Sequence, residues 1–294
     1  MRTTLRALTA PLLVALLLGA AACGGDDDSS GDEATSTSTP SGDAVTTTAP
    51  DATTTTAPAL TDVLVYFLRD EKVAVVRREV PDDGAPAAAA LRALLAGPDD
   101  DEASLGFVTT IPDGTELNGV VIEDGVATVD LSSAYDDGGG TSSVTTRLAS
   151  VVFTLTQFPT VDSVLFELDG EPVTEFSGEG FVLDGPVGRA DFEYATPLIL
   201  VESPAPGDVV ASPLTITGSN NTFESGVEFR LEDASGATIA EGYTTGTGGM
   251  GTMGPFEGSL EFDPGAETSG TLVVYESSAR DGTEINVTEV PVRF

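Results

Sequence analysis

GVVIEDGVATVDL, residues 119–131, decides the fold class of the first half of this chain. Two runs of strand-forming residues, 119–123 and Val126–Leu131, flank Asp124-Gly125, a pair suited to the positive φ angles of a two-residue hairpin turn. Toward the C-terminus, Val144, Leu148, Val151, Leu155 and Phe158 recur at helical spacing. Thr141, Ser142 or Ser143 is the candidate cap of that helix, and Pro159 stops it. Residues 161–168 then read as a strand that turns at Asp169-Gly170 into another hairpin. Toward the N-terminus, residues 87–96 form a helix with Leu91, Leu94 and Leu95 on one face, Pro86 near its start and Gly97-Pro98 after it. Residues 63–68 are nearly continuous in apolar character, as a buried strand requires, and residues 73–80 pair with them across Arg69-Asp70-Glu71-Lys72. The order strand, strand, helix, strand, strand, helix, strand, strand over residues 61–183 predicts a compact α+β domain.

After residues 184–196, taken as a linker, helices disappear. Seven short strand-like runs, beginning at Ile199, Leu214, Val227, Thr238, Phe256, Thr271 and Asn286, recur between Gly, Pro and Asn residues. Seven strands within residues 197–294 indicate an all-β immunoglobulin-like sandwich. Val227, Phe229 and Leu231 alternate with Glu228, Arg230 and Glu232, the pattern of a half-exposed strand. The loop of residues 246–254, rich in Gly and Met, is expected to be a long solvated connection rather than a contact loop of adaptable methionines.

Composition narrows the chemistry. The chain of 294 residues carries 48 Asp and Glu against 12 Lys and Arg, a formal net charge of -36. Such a field repels nucleic acid, whose binding depends on clustered cations, so no nucleic-acid partner is expected. Histidine is absent, which removes a Ser-His-Asp triad and the commonest zinc ligand. A single cysteine excludes an internal disulfide, and the absence of Trp weakens a carbohydrate-stacking site. Lys72, the one lysine, falls in a hairpin turn with no adjacent nucleophile motif. Asp99-Asp100-Asp101-Glu102 lacks the alternating ligands and central Gly of a calcium loop, so it reads as solvated surface acids. No carboxylate pair stands out as a glycosidase couple, and no phosphate-binding glycine motif lies between strand and helix. The expectation is a protein without catalytic, cofactor or metal residues.

The first 22 residues read as an export signal: Arg2 and Arg6, an apolar run over residues 7–18, then small residues at 19–22. Cys23 follows immediately, in a setting that resembles a bacterial lipobox, although Ala20 stands where Leu is usual. That resemblance implies cleavage before Cys23 and its conversion to an N-palmitoyl, S-diacylglycerol cysteine that anchors the chain at the outer face of the cell membrane. Residues 23–60 are rich in Asp, Ser, Thr, Pro and Ala, too polar to bury a core, and so are expected to be a disordered tether. As a coil it would reach roughly 30 to 36 Å.

Several motifs together carry a family likeness. Leu94-Leu95-Ala96-Gly97-Pro98, Ile111-Pro112-Asp113-Gly114-Thr115-Glu116-Leu117, residues 124–131, Thr154-Leu155-Thr156-Gln157-Phe158-Pro159 and Val164-Leu165-Phe166-Glu167-Leu168-Asp169-Gly170 resemble, in order and spacing, the GerMN domain of spore-germination proteins. Ser203-Pro204-Ala205-Pro206-Gly207, residues 212–218, Thr222-Phe223-Glu224 and residues 281–292 resemble the immunoglobulin-like domain that follows GerMN in such proteins. The resemblance implies a bacterial lipoprotein of actinobacterial type, a ring-building-like α+β fold, and homo-oligomers through that domain in some members. It names no catalytic residues. Packing explains the motifs, with Phe158 expected to be buried against the sheet. The combined expectation is a membrane-anchored, non-catalytic scaffold or adaptor for envelope proteins. The alternative is an extracytoplasmic ligand-binding protein for a small molecule or cell-wall fragment, which would need a deep apolar pocket in the first domain.

Overall fold

The computed structural model describes residues 59–176, 181–249 and 251–294. Strands β1 (Leu60–Arg69) and β2 (Lys72–Pro81) form an antiparallel hairpin around Asp70-Glu71, whose φ angles are 52° and 62°. The same positive-φ geometry recurs at Asp124-Gly125 (50°, 84°) and Asp169-Gly170 (50°, 81°), as expected of type I′ turns. Helix α1 (Pro86–Leu95) follows, with Pro at its start. A short helix α2 (Asp100–Ser104), unforeseen in the sequence reading, comes next. Strands β3 (Leu117–Glu123) and β4 (Val126–Leu131) pair antiparallel. Helix α3 (Thr141–Leu155) then crosses over to β5 (Ser163–Leu168), which lies parallel to β4.

A two-residue β6 (Glu171–Pro172) completes a sheet of order β3-β4-β5-β6, and β7 (Glu175–Phe176) pairs with β8 (Phe181–Val182). One face of the four-stranded sheet, through Ala127, Val129, Leu131, Val164 and Phe166, joins α1, α3 and the β1–β2 hairpin in a single core. Helix α3 is buried almost all round: only Thr141, Ser142 and Ser143 are not fully covered, which is why its sequence carries small and apolar residues beyond one stripe. Gly140, in extended backbone, is the N-cap instead of residues 141–143, and the helix stops at Leu155, three residues short of Phe158.

Residues 184–196 hold a 3-10 helix, Arg189–Ala195, with Phe192 and Ala195 buried beside α3. Beyond it the chain is all β, as expected. Strands β9 (Ile199–Ser203), β10 (Leu214–Asn220) and β13 (Gly254–Leu260) form one sheet, in the order β13-β10-β9. Strands β11 (Gly226–Asp233), β12 (Thr238–Thr245), β14 (Ser269–Ser277) and β15 (Glu284–Arg293) form the other, in the order β12-β11-β14-β15. The two inner faces meet over Ile199, Val201, Ile216 and Phe256 on one side and Val227, Phe229, Leu231, Leu272 and Val274 on the other. Without the tryptophan or disulfide common in such sandwiches, Phe229 is a central filler. A Cβ placed on Gly242 or Gly258 would come within 2.5 or 2.7 Å of its ring, so both strands beside it need glycine there.

Candidate functional site

The two folded regions meet through strand β9, and the meeting is set by the alternation of its side chains. Ile199 and Val201 point into the sandwich core, whereas Leu200 belongs to the core of the α+β region. A polar cluster surrounds this shared strand. The Tyr66 hydroxyl on β1 donates to the Glu202 carboxylate on β9. Arg189, from the 3-10 helix, donates to Glu202 at 2.7 Å, to Thr156 Oγ1 at 2.8 Å and to the Tyr66 hydroxyl at 3.2 Å. Its guanidinium also lies over the rings of Phe153 and Tyr66, at 4.7 and 5.3 Å from their centroids. Burial, reinforced by the Glu202 charge, pushes the Tyr66 hydroxyl well above the ordinary tyrosine range. Burial alone would lower Arg189, but Tyr66 and Glu202 more than offset it and hold the guanidinium firmly charged.

Further ties extend this junction. Arg77 Nε donates to both carboxylate oxygens of Asp208, at 3.2 and 3.1 Å. Arg69 donates to the Glu289 carbonyl at 3.1 Å, Lys72 Nζ to the Tyr194 carbonyl, and the Met253 amide to Glu193 Oε1 at 3.0 Å. Both regions are strongly acidic and would repel each other, so cations between them offset the repulsion where contact is closest. Beside Arg189 lies a cleft of about 330 Å³ lined by Phe153, Glu193, Glu202, Met253 and Pro255. The ligand-binding alternative asked for a pocket within the first domain; this cleft sits at the junction instead.

Residues 64–174 match the Germane family, described as sporulation and spore germination, and residues 198–283 match Gmad2, the immunoglobulin-like domain of bacterial spore germination. The chain thus resembles two spore-germination domain families, matched one after the other along its length. The GerMN likeness and the α+β-plus-sandwich fold class are thus both upheld. No curated protein matches the chain. Among solved structures, the tandem GerMN domains of the sporulation protein GerM from Bacillus subtilis align at 18% identity and a TM-score of 0.41, over 69% of this chain and 62% of that one. The first GerMN domain of the same protein aligns at 25% identity and a TM-score of 0.36, over 44% of this chain and 98% of that one. The chain therefore spans less than two thirds of the tandem GerMN structure.

The residues singled out in the sequence fall in different places. Cys23 lies outside the described residues. Asp99 and Glu102 are structural: they form a reciprocal capping box on α2, and Glu102 also pairs with Arg78. Arg78 in turn donates to the carbonyls of Ala93 and Gly97 at 2.8 Å each, closing the end of α1. Lys72 serves the junction. Phe158, expected to be buried, is only half-buried; its neighbours carry the motif's weight. Gln157 accepts from the Leu64 amide at 2.8 Å and donates to the Leu64 carbonyl at 2.6 Å, while Thr154 Oγ1 accepts from the Tyr66 amide at 3.2 Å. Together with the Leu68–Val108 bridge, these bonds occupy the outer edge of β1.

The described residues of the 246–254 loop are pinned by backbone bonds, while Thr247, Gly251 and Thr252 remain exposed to solvent. The amides of Gly246, Thr247 and Gly251 bond to Ser225, Pro255 and Asn221, and the Met253 amide reaches Glu193 on the 3-10 helix. A Cβ on Gly248 would stand 1.7 Å from the Asn220 carbonyl oxygen, so glycine is required for this close approach. Among the described residues no three His, Cys, Asp or Glu side chains gather as a metal site, and no helix is long and apolar enough to cross a membrane. The Germane sheet, by contrast, keeps one face uncovered. There Val121, Thr128 and Leu165 form a cross-strand row, with Val121 57% exposed.

Proposed function

We propose that this chain is a non-catalytic scaffold or adaptor of the bacterial cell envelope, working through protein–protein contacts in a spore-germination-like or related envelope process. It is held at the outer face of the membrane by lipid on Cys23. The observation that carries the reading is the joined Germane–Gmad2 body: β9 gives side chains to both cores, so two interaction-sized domains present their surfaces in one fixed relation. A rigid double module suits an adaptor that must hold two partners at a set spacing, because little ordering cost is left for binding. Domain bounds of 61–183 and 197–294, with a tether over 23–60, are part of the proposal, as is self-association through the Germane domain.

Replacing Cys23 with Ser tests the anchor: the parent should fractionate with membranes and carry fatty acid, and the variant should do neither. Sizing and pull-down of the full chain from envelope extracts test the adaptor role. A strictly monomeric protein that retains nothing would overturn it. The junction cleft supports the second reading, an extracytoplasmic ligand-binding protein; saturable binding of a wall fragment, lost in Phe153→Asp, would favour that reading instead.

A further inference from the structure

The cleft beside Arg189 is walled from both sides of the junction. In the sandwich, the register pairs Ser219 with Leu200 on one neighbour and with Pro255 on the other. Those three side chains therefore form a row on the outer face of the sheet, the face from which Leu200 enters the core of the α+β region. On the other side, Ala190, Glu193 and Thr196 recur at every third residue, the spacing that stacks side chains along a 3-10 helix. Ser219, Pro255 and all three of these residues line the cleft of about 330 Å³, closed further by Phe153 and Met253. A volume of that order lies at the lower end for small-molecule sites.

The polar groups of the cleft select its guest. Arg189 spends its donors internally, on Thr156, Glu202, the Tyr66 hydroxyl and the Phe153 carbonyl, which leaves one N–H of its guanidinium. Its charge is matched by Glu202. Glu193 has no cation among the described residues: Oε1 accepts from the Met253 amide at 3.0 Å, and Oε2 has no partner. Glu202 likewise uses only Oε1, and the Ser219 hydroxyl makes no bond. Two carboxylates against one guanidinium leave one negative charge, and free acceptors outnumber free donors. An anion would meet Glu193 unneutralised, whereas a primary ammonium brings three N–H donors together with the missing charge. Phe153, Met253 and Pro255 supply apolar surface for what the ammonium is attached to. We propose that the junction cleft binds a small free amine, a primary ammonium on a short apolar stem, with Glu193 as its counter-ion and Ser219 and Glu202 as further acceptors. The inference rests on the ligand-binding reading of this cleft and names the ligand class.

The test is calorimetric titration of the full chain with n-pentylammonium at about 0.15 M salt, where a Debye length of about 8 Å screens diffuse attraction to an acidic surface. Binding should be saturable, and 1-pentanol and pentanoate, which keep the stem without the cation, should bind at least about tenfold more weakly. Glu193→Gln keeps an acceptor for the Met253 amide but removes the charge. It should cost about tenfold in affinity while leaving unfolding without the amine unchanged, and Ser219→Ala should cost roughly threefold. Glu241→Gln, on the exposed strand β12, should change nothing. Equal losses in Glu193→Gln and Glu241→Gln would mean that amines gather on the chain's charge at large and would overturn the proposal, as would pentanol binding as well as the amine. Tighter binding of Nα-acetyl-lysine methylamide than of pentylammonium would assign the cleft to a protein's lysine and overturn the free amine. An amine-free wall disaccharide that binds the parent but not Phe153→Asp, with no binding of pentylammonium, would sink the amine and leave the ligand-binding reading standing. If neither binds, both fall.

Discussion

Tyr135 sits fully buried in the Germane core between Phe166 and Phe176, with ring centroids 6.2 and 6.1 Å away, and its hydroxyl has no hydrogen-bond partner. A buried hydroxyl without a partner forfeits its bonds to water, so Tyr135→Phe should stabilise the protein by about 1 kcal/mol. Burial also raises this hydroxyl well above the ordinary tyrosine value of 10.0. The folded chain therefore keeps its proton where the unfolded chain loses it, and stability falls as pH rises past 10.0. Removing the hydroxyl removes that share of the loss, so the advantage of Tyr135→Phe should widen in alkali. Urea unfolding of parent and variant at about pH 8 and about pH 11 would show both effects. An unchanged difference between the two pH values would contradict the account. Arg147, close over the same ring, is buried too and donates to the carbonyls of Tyr135 and Gly138, so it fastens the loop that leads into α3.

At the scale of elements, the clamp on β1 explains why the Thr154 to Gln157 motif ends α3 as it does. The helix stops at Leu155 because Gln157 must turn aside to pair with the Leu64 amide and carbonyl. Gln157→Leu keeps the bulk but leaves both backbone groups unpaired, and should cost about 1–3 kcal/mol. Thermal unfolding would measure the loss, and faster hydrogen exchange at the Leu64 amide would place it. Most strands were legible in the sequence because their information is local: Asp-Gly turns, alternation in β11, an apolar run in β1. The capping box of α2 is equally local, but the run of four acids over 99–102 masks the spacing of three between Asp99 and Glu102 that makes it. The Gln157 clamp was beyond such reading, since its partner is 93 residues away. So was the pinning of residues 246–254, where tight approach to Asn220 makes flexible-looking glycines obligatory. The junction hid for a related reason. Nothing local in Leu200 says which core it enters.

At the scale of the whole molecule, the junction makes the described residues, from 59 onward, one compact unit. Arg189 is its most connected side chain, so Arg189→Met should leave Glu202 and Tyr66 without their cation while filling similar space. The pair is about a quarter exposed, with side chains 30% and 21% accessible, so solvent screening keeps the expected cost to about 1–2 kcal/mol. The more telling readout is cooperativity: calorimetry should show one transition in the parent and two in the variant, as each domain melts for itself. A single unshifted transition would mean that Leu200 and the remaining polar ties hold the halves together without Arg189. The absence of Trp has an optical consequence. With five tyrosines and no indole, near-ultraviolet emission comes from phenol rings alone. Tyr66 lies on the seam beside Glu202, Tyr194 gives its carbonyl to Lys72, Tyr135 is sealed in one core, and Tyr243 stands open on the sandwich. Parting the domains would change the environment of the seam phenols first, so the protein carries its own lamp at its joint and needs no dye to report when it opens.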